Sequence, residues 1–421
     1  MNIVVKTRRA AVVALALFVP VTAARADVVL SWNEITVETL IQQGQNPFAQ
    51  ARFAAIAQLA VFEAVNAVTG EYEPYIGIAP APGASVDAAA ATAAYRVMKT
   101  YFPAASNLDT AYAASLAMVP DGSPKADGIA VGEAAAAALI ANRQNDGSFP
   151  AMVSSVGAAD PGVWQLTTPG CASTATGGVF YHWQNVRPFG ISSASAFMPA
   201  PPPLLISTEF AKDFEEVRRV GRLQSAERAQ DRSDVARFFN ASSPTLILNM
   251  AARQVAAAQG RSSSDNARAL ALLNMATNDA LVSSMTAKYY YNFWRPETAI
   301  RYADPYGNPK VTPEPGWAPF ITTPCFPSYP SNHASGTNAG AEILRRVYGE
   351  GGHAITLANP YSAPVSQIQL TYSTFNQISE DVDDARIYGG IHFRFDQVAG
   401  NRLGREVATF VYKDNLRKGS H

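Results

Sequence analysis

Two cationic side chains flank an aromatic-rich segment in the last third of the chain. Lys288 and Arg295 are seven positions apart, and the residues between them are mostly aromatic. Because seven residues make two helical turns, a helix would place both cations on one face, and Pro296 predicts that this helix ends at Arg295. The alternative is a solvated helix edge, but the aromatic neighbours favour partial burial. Buried cations require an anion, so the segment predicts an anion site.

A second segment joins a predicted helix start to a histidine. Ser331 precedes an apolar helical run, so we expect it to be the N-cap. The free backbone N–H groups of such a start bind anions, and the Ser331 hydroxyl is a further donor. His333 follows in the first turn. On its own, this pattern is also typical of an ordinary helix cap.

A third segment pairs a histidine with a carboxylate. Gly389 and Gly390 are predicted to break one helix and begin another, and His392 and Asp396 then have the i, i+4 spacing of one helix face. A carboxylate that holds one imidazole nitrogen fixes the tautomer and makes the other nitrogen a better nucleophile or metal ligand. Arg386, just before the glycines, is a third cation.

The chain that positions these segments is predicted to be helical almost throughout. Apolar residues recur with helical spacing over eight segments, which are 48–68, 88–101, 129–140, 209–220, 225–239, 264–290, 335–348 and 365–380. A proline-rich stretch, 198–203, divides an N-terminal helical part, 27–200, from a C-terminal core, 201–415. The predicted fold class is therefore all-α, a large helical bundle.

Residues 1–26 predict a secretory signal peptide. They combine a basic start, an apolar run of about 12 residues that is too short to span a bilayer, and a small-residue cleavage pattern before Asp27. We therefore expect an exported chain, periplasmic or secreted, with no membrane span after cleavage. Export permits a disulfide between Cys171 and Cys325, and two unrelated buried thiols are the alternative.

Composition excludes several classes of function. The chain has 33 basic and 34 acidic side chains without a long basic run, which gives no support for nucleic-acid binding. Two cysteines cannot build a disulfide scaffold or a four-cysteine zinc site. Of the remaining histidines, His182 is a weak candidate for a pocket mouth, His353 is predicted to lie in a loop, and His421 is terminal.

Taken together, the three segments resemble the superfamily of vanadium-dependent haloperoxidases and type 2 phosphatidic acid phosphatases, which includes bacterial class A acid phosphatases. The motifs lie within 288–396, and weaker similarity to the bacterial haloperoxidase-like branch extends over most of the chain. The resemblance implies a helical-bundle fold. Two positions depart from the pattern, because Asn332 stands where the family usually has glycine and Ala385 where it often has serine.

The resemblance also implies roles for the anion-binding residues. Vanadate or phosphate would be held by three cations and by the start of the second segment, namely by Lys288, Arg295, Arg386, the Ser331 hydroxyl and the Asn332 N–H. Lys288 would in addition activate bound peroxide in a haloperoxidase. The Asn332 side chain is expected to crowd the anion.

The histidines receive the covalent and proton-transfer roles by the same resemblance. His392 would bond to the central atom, as a ligand to vanadium or as a nucleophile on phosphorus, with Asp396 orienting it. His333 would be the general acid–base group.

The leading interpretation is an exported vanadate-dependent haloperoxidase that oxidises halide with hydrogen peroxide to hypohalous acid. Its length after removal of the signal peptide favours this over a minimal acid phosphatase. The second interpretation is a periplasmic acid phosphatase that hydrolyses phosphate esters through a phosphohistidine and needs no metal. The third is an inactive oxyanion-binding protein. The sequence leaves open the halide, the organic substrate and the oligomeric state.

Overall fold

The structure is a computed structural model that describes residues 27–302, 304 and 306–419, so the predicted signal peptide and His421 lie outside the described residues. The N-terminal part contains five helices, which are α1 (Val28–Gln42), α2 (Pro47–Thr69), α3 (Val86–Tyr101), α4 (Ser106–Ala117) and α5 (Ser123–Asn142). A long irregular stretch with a 3-10 turn at Tyr181–Asn185 follows.

The C-terminal part of the described chain contains eight helices, which are α6 (Thr208–Val220), α7 (Gln230–Ala241), α8 (Pro244–Gln259), α9 (Ser263–Tyr291), α10 (Pro296–Arg301), α11 (Asn332–Tyr348), α12 (Phe375–Tyr388) and α13 (Arg394–Asp414). An antiparallel pair of strands, β1 (Gly351–Ala358) and β2 (Gln369–Thr374), lies between α11 and α12. The prediction of a large helical bundle is confirmed. The boundary near residue 200 stays a prediction.

Helices α2 and α9 form the centre of the bundle and pack against each other. The Asn46 side chain caps α2 and Pro47 begins it, while Gly70 ends it in the left-handed conformation at φ +68°. By length and composition α2 is the one described helix that could cross a bilayer, but 83% of its most apolar window is buried inside the protein. It is built as the core helix of a folded protein.

Helix α13 approaches the start of α11 closely because it carries glycines there. A Cβ at Gly400 would lie 2.6 Å from the Ser331 carbonyl oxygen, and one at Gly404 would collide with the Ser335 carbonyl. Only a residue without a side chain permits this approach. The glycines therefore hold the second and third sequence segments side by side.

The prediction of a helix over 365–380 is wrong. Residues Gln369–Thr374 instead form β2 and pair with β1, and the helix begins only at Phe375. The boundary has a local cause, since Thr374 and Gln377 form a reciprocal capping box that fixes the first turn of α12. The pairing with β1 is a contact distant in sequence, and helical spacing alone did not reveal it.

The connection between the two parts is fastened at two places. Cys171 and Cys325 form a disulfide, so the predicted pairing is confirmed. The proline-rich stretch runs over the C-terminal part, where the Tyr291 hydroxyl donates to the Pro199 carbonyl at 2.6 Å. The disulfide joins the irregular stretch before α6 to the loop that precedes α11, and the hydrogen bond joins the same stretch to the end of α9.

Candidate active site

His392 and Asp396 meet at the start of α13. The Nδ1 atom of His392 lies 2.7 Å from Oδ2 of Asp396, which also accepts a hydrogen bond from the Phe393 N–H at 3.1 Å. The helix begins at Arg394, so His392 precedes it. The predicted contact is confirmed, but the prediction that both residues share a helix face is wrong. The left-handed turn at Gly390 (φ +77°) brings the imidazole back over the first helical turn.

This contact determines the tautomer of His392. Because the carboxylate accepts at Nδ1, we place the ring proton there, which leaves a lone pair on Nε2. Arg295 Nη1 lies 2.9 Å from Nε2 and donates to it. Burial and the neighbouring Arg295 and Lys288 hold the pKa of His392 well below its usual range. The imidazole is therefore neutral, and its Nε2 lone pair can act as a base, nucleophile or metal ligand once Arg295 Nη1 turns to another acceptor.

The two cations of the first segment are fully buried but do not share a helix face. Helix α9 ends at Tyr291, because Asn292 adopts the left-handed conformation at φ +46°, and Arg295 is the N-cap of α10. The prediction of one continuous helix to Arg295 is therefore wrong by four residues. The left-handed residue Asn292 ends α9, so the helix stops before the chain reaches Pro296.

A run of backbone carbonyls holds both cations in place. Lys288 Nζ donates to the carbonyls of Pro327 at 3.0 Å and Ser328 at 2.5 Å. Arg295 Nε donates to the Phe326 carbonyl at 2.9 Å. Burial lowers the pKa of Lys288 well below its usual range, and the Arg295 charge lowers it further. Neutral carbonyl oxygens orient these cations without cancelling their charge.

Two of the three buried cations, Arg295 and Arg386, have donors that no group in the described chain satisfies. Arg386 is 2% exposed, and its Nε and Nη1 have no hydrogen-bond partner, nor does Nη2 of Arg295. Burial lowers the pKa of each guanidinium to about 9. Asp396 interacts electrostatically with Lys288 and Arg295, so a single carboxylate faces three cations, Lys288, Arg295 and Arg386. Unsatisfied buried donors are costly, and a multiply charged oxyanion supplies the missing acceptors.

The start of α11 lies against the same group. Ser331 is the N-cap, as predicted, with its Oγ accepting from the Ala334 N–H at 3.4 Å. The Asn332 side chain turns towards α9, where it accepts from the Ser284 hydroxyl and contacts Met285. Asn332 also lines the cavity at His392, so the expectation that it crowds the anion stays a prediction.

Residues of the second and third segments line one cavity of about 100 Å³. It is lined by Asn332, His333, Arg386 and His392 and by aromatic side chains, including Phe180 and Phe326. His333 is half-buried. Burial, followed by the charge of Arg386, holds its pKa well below the usual range, so His333 is a neutral base beside the cations.

Ser328 is a site residue that the sequence analysis missed. Its hydroxyl donates to Oδ2 of Asp396 at 2.5 Å, while its carbonyl accepts from Lys288. One residue therefore ties the first segment to the third. Nothing in its sequence pattern indicates this, because half of the role belongs to the backbone.

The remaining histidines lie elsewhere. His182 is buried in the 3-10 turn, where its Nδ1 accepts from the Met152 N–H at 3.1 Å. The prediction of a loop position for His353 is wrong, because it lies in β1 and packs against the ring of Phe375. Neither belongs to the group around His392 in the described structure.

The chain is similar in sequence to known vanadium-dependent enzymes. Residues 268–418 match the model of the VCPO second helical-bundle domain. The chain is also similar to vanadium chloroperoxidase from Curvularia inaequalis, with 29% identity over 118 residues, or 27% of this chain. That match spans about a fifth of the relative's length, 19%.

The fold is shared with solved bacterial enzymes over nearly the whole chain. The crystal structure of a bacterial vanadium-dependent iodoperoxidase superposes with a TM-score of 0.78 at 24% identity, covering 94% of this chain and 98% of that one. An apo-type bacterial vanadium-dependent chloroperoxidase gives 0.68 at 15% identity, covering 88% and 95%. The chain thus has the vanadium haloperoxidase fold, and the resemblance predicted from the motifs is confirmed.

Proposed function

We propose that this protein is a vanadate-dependent haloperoxidase that oxidises halide with hydrogen peroxide to hypohalous acid. The observation that carries the proposal is the buried cluster of three cations, of which Arg295 and Arg386 have unsatisfied donors, beside Nε2 of His392. The similarity to iodoperoxidase and chloroperoxidase structures supports the same activity.

The residues present fit vanadate. Arg295 and Arg386 offer three unpaired N–H-bearing nitrogens for its oxygens, and His392 offers Nε2 for the central atom. When bound there, vanadate supplies Lewis-acid activation of hydrogen peroxide towards attack by halide. The chain contributes the charge neutralisation, the fixed tautomer and the apolar wall that limits water.

Lys288 and His333 have separable tasks in this proposal. An ammonium group has three N–H donors, and two of those of Lys288 are used by backbone carbonyls. The third is available to polarise bound peroxide, and its compact charge suits a single oxygen better than a guanidinium. His333, neutral and half-buried, takes and returns the proton of the incoming peroxide.

We further propose that the chain is exported and cleaved before Asp27. The disulfide between Cys171 and Cys325 supports an oxidising compartment. Mass measurement of the protein recovered from a periplasmic or culture fraction tests this, and the expected N-terminal residue is Asp27. Recovery of the uncleaved chain in the cytoplasm would contradict it.

The activity is tested on one preparation in two assays. Purified apo-protein is assayed for hydrolysis of a phosphate ester, and then for bromide and iodide oxidation with peroxide before and after vanadate is added. We expect halide oxidation only after vanadate addition. Phosphate-ester turnover without any vanadate-dependent halide oxidation would show that the cage serves phosphoryl transfer instead.

A further inference from the structure

A second and larger cavity lies beside the catalytic one. Its volume is about 570 Å³, against about 100 Å³ for the cavity at His392. It is formed by the start of α2 and by the irregular stretch 148–183, and the lining residues used below are Ala151, Met152, Phe180, His182 and Trp183. Phe180 lines both cavities.

The partition between the two cavities is a thin aromatic layer. The Phe180 ring lies 4.9 Å from that of Phe48 and 6.3 Å from that of Phe326, between ring centroids. On the catalytic side, Arg295 stands over the Phe326 ring at 5.0 Å. A molecule in the larger cavity is therefore separated from the reacting centre by side chains and not by a helix or a strand.

Phe180 is held in an unusual backbone conformation at this position. Its φ is +62°, in the left-handed region that a bulky residue rarely adopts. The neighbouring Val179 N–H donates to the Cys325 carbonyl at 2.9 Å, and Cys325 is tied to Cys171 by the disulfide. Strained residues of this kind persist where the surroundings enforce them, and they cluster at functional sites.

The larger cavity has an apolar and aromatic wall in which the side-chain donors of His182 and Trp183 have no partner among the described residues. Because Nδ1 of His182 accepts from the Met152 N–H, the ring proton lies on Nε2, for which the described residues provide no partner. His182 is 5% exposed, so this donor is largely shielded from solvent. Burial lowers the pKa of His182, which keeps the ring neutral.

The nearby cation does not need a ligand. Arg52 also lines the cavity, but its Nε donates to Asp146 at 2.7 Å and its Nη2 to the Arg143 carbonyl at 3.2 Å. The wall therefore matches a neutral molecule with an aromatic body and an acceptor oxygen, rather than a carboxylate or an amine.

We propose that this cavity binds an aromatic alcohol and presents it to the hypohalous acid formed at His392. The inference rests on the proposed function for its oxidant. In the transfer, a carbon–halogen bond forms and the oxygen–halogen bond breaks, so that the ring carbon is oxidised and the halogen reduced. The ring proton leaves with the hydroxide as water.

Binding is tested without vanadate, peroxide or halide, so that it does not depend on the proposed function. Isothermal titration calorimetry with 2-naphthol is expected to show saturable binding of one molecule per chain. Ala151 is an exposed lining residue, so Ala151→Trp fills the cavity without entering the core. We expect this variant and His182→Phe to weaken binding by about tenfold. The matched control is Ala159→Trp, on the same stretch but outside the cavity.

The control variant should bind 2-naphthol like the wild type. Absence of saturable binding by the wild type, or equal affinity in Ala151→Trp, would overturn the inference. Thermal unfolding of each variant shows whether the fold is retained, and Ala151→Trp remains informative even if His182→Phe does not fold.

Transfer is tested by competition in the vanadate-loaded enzyme. With peroxide and bromide, 2-naphthol competes against excess taurine, and the product ratio is compared with that given by added hypobromite. We expect the wild type and Ala159→Trp to favour bromonaphthol about tenfold over the free reagent, and Ala151→Trp to return to the free-reagent ratio. A wild-type ratio equal to that of free hypobromite would overturn the transfer. If neither acceptor is brominated while 2-naphthol still binds, the proposed function fails and the binding site stands.

Discussion

The imidazole of His392 and the carboxylate of Asp396 meet across a helix start, at 2.7 Å between Nδ1 and Oδ2. Asp396 has two tasks there, because the same oxygen accepts the Phe393 N–H at the N-terminus of α13. The helix start positions the carboxylate, and the carboxylate positions the ring. The orientation of Nε2 towards the cation cluster thus follows from how α13 begins.

Replacing Asp396 with asparagine should disable the enzyme through the wrong tautomer. An amide does not stabilise the Nδ1–H form as a carboxylate does, so the proton can move to Nε2 and block it. We expect halide oxidation to fall on the order of 10³-fold with the fold retained. Steady-state assays at saturating vanadate check this.

A matched control exists for that variant. Asp213 is also buried, and it accepts a hydrogen bond from the Phe395 N–H at the same helix start without contacting His392. Asp213→Asn should therefore leave turnover within a few-fold of the wild type. Equal losses in both variants would mean that the start of α13, and not the tautomer, is what matters.

Lys288→Ala should separate binding from turnover. Arg295 and Arg386 remain to hold the oxyanion, so vanadate should still bind measurably. Bromide oxidation at saturating vanadate should fall about 10²–10³-fold, because the donor aimed at one peroxide oxygen is lost. A vanadate titration and a bromination assay on the same sample test this, and normal bromination by the loaded variant would reduce Lys288 to a binding cation.

Residue types and spacing predicted the members of the site, but not the way the backbone assembles them. Lys288 and Arg295 do meet, yet through a left-handed break at Asn292 and not along a helix. Such a break depends on contacts distant in sequence, which spacing does not encode. Ser328 was not predicted for the same reason. Its carbonyl accepts from Lys288 and its hydroxyl donates to Asp396, and both partners are distant in sequence.

The fold was predictable to the extent that helices carry their own periodic signal. α2 and α9 were predicted within a few residues because their apolar spacing and caps agree. The pairing of β1 with β2 was not, because 365–380 also has helical spacing and the strand partner lies elsewhere in the sequence. At residues 369–374 the pairing with β1 outweighs the helical preference of the local sequence.

The disulfide should contribute measurably to stability. Cys171 and Cys325 are 154 residues apart, so the bond closes a long loop in the unfolded chain. Replacing both with alanine should lower the free energy of unfolding by roughly 2–5 kcal/mol. Non-reducing mass spectrometry and urea denaturation check the bond and its effect. Two free thiols in the exported protein would contradict the pairing.

The Asp279 carboxylate should contribute to the free energy of unfolding by an amount similar to that of the disulfide. It is fully buried in α9, and its oxygens accept the N–H groups of Phe189 at 2.7 Å, Gly190 at 2.6 Å and Ile191 at 3.1 Å. Asp279→Ala leaves these donors unsatisfied and should cost about 3 kcal/mol or more. Urea denaturation measures the loss.

The control for this variant is Asp121→Ala, because Asp121 is exposed and pairs only with Lys125 at the surface. It should leave the free energy of unfolding close to that of the wild type. A loss for Asp279→Ala no larger than that of the control would show that the three N–H groups find other partners.

We propose that His392 anchors vanadate and that the anchored vanadate catalyses the oxidation of halide by hydrogen peroxide. The most direct measurement titrates vanadate into apo-protein and into His392→Ala while bromide oxidation is followed with peroxide present. The wild type should gain activity up to one vanadate per chain, and folded His392→Ala should gain none. Activity in the wild type that is independent of vanadate, or the same titration curve in His392→Ala, would contradict the claim.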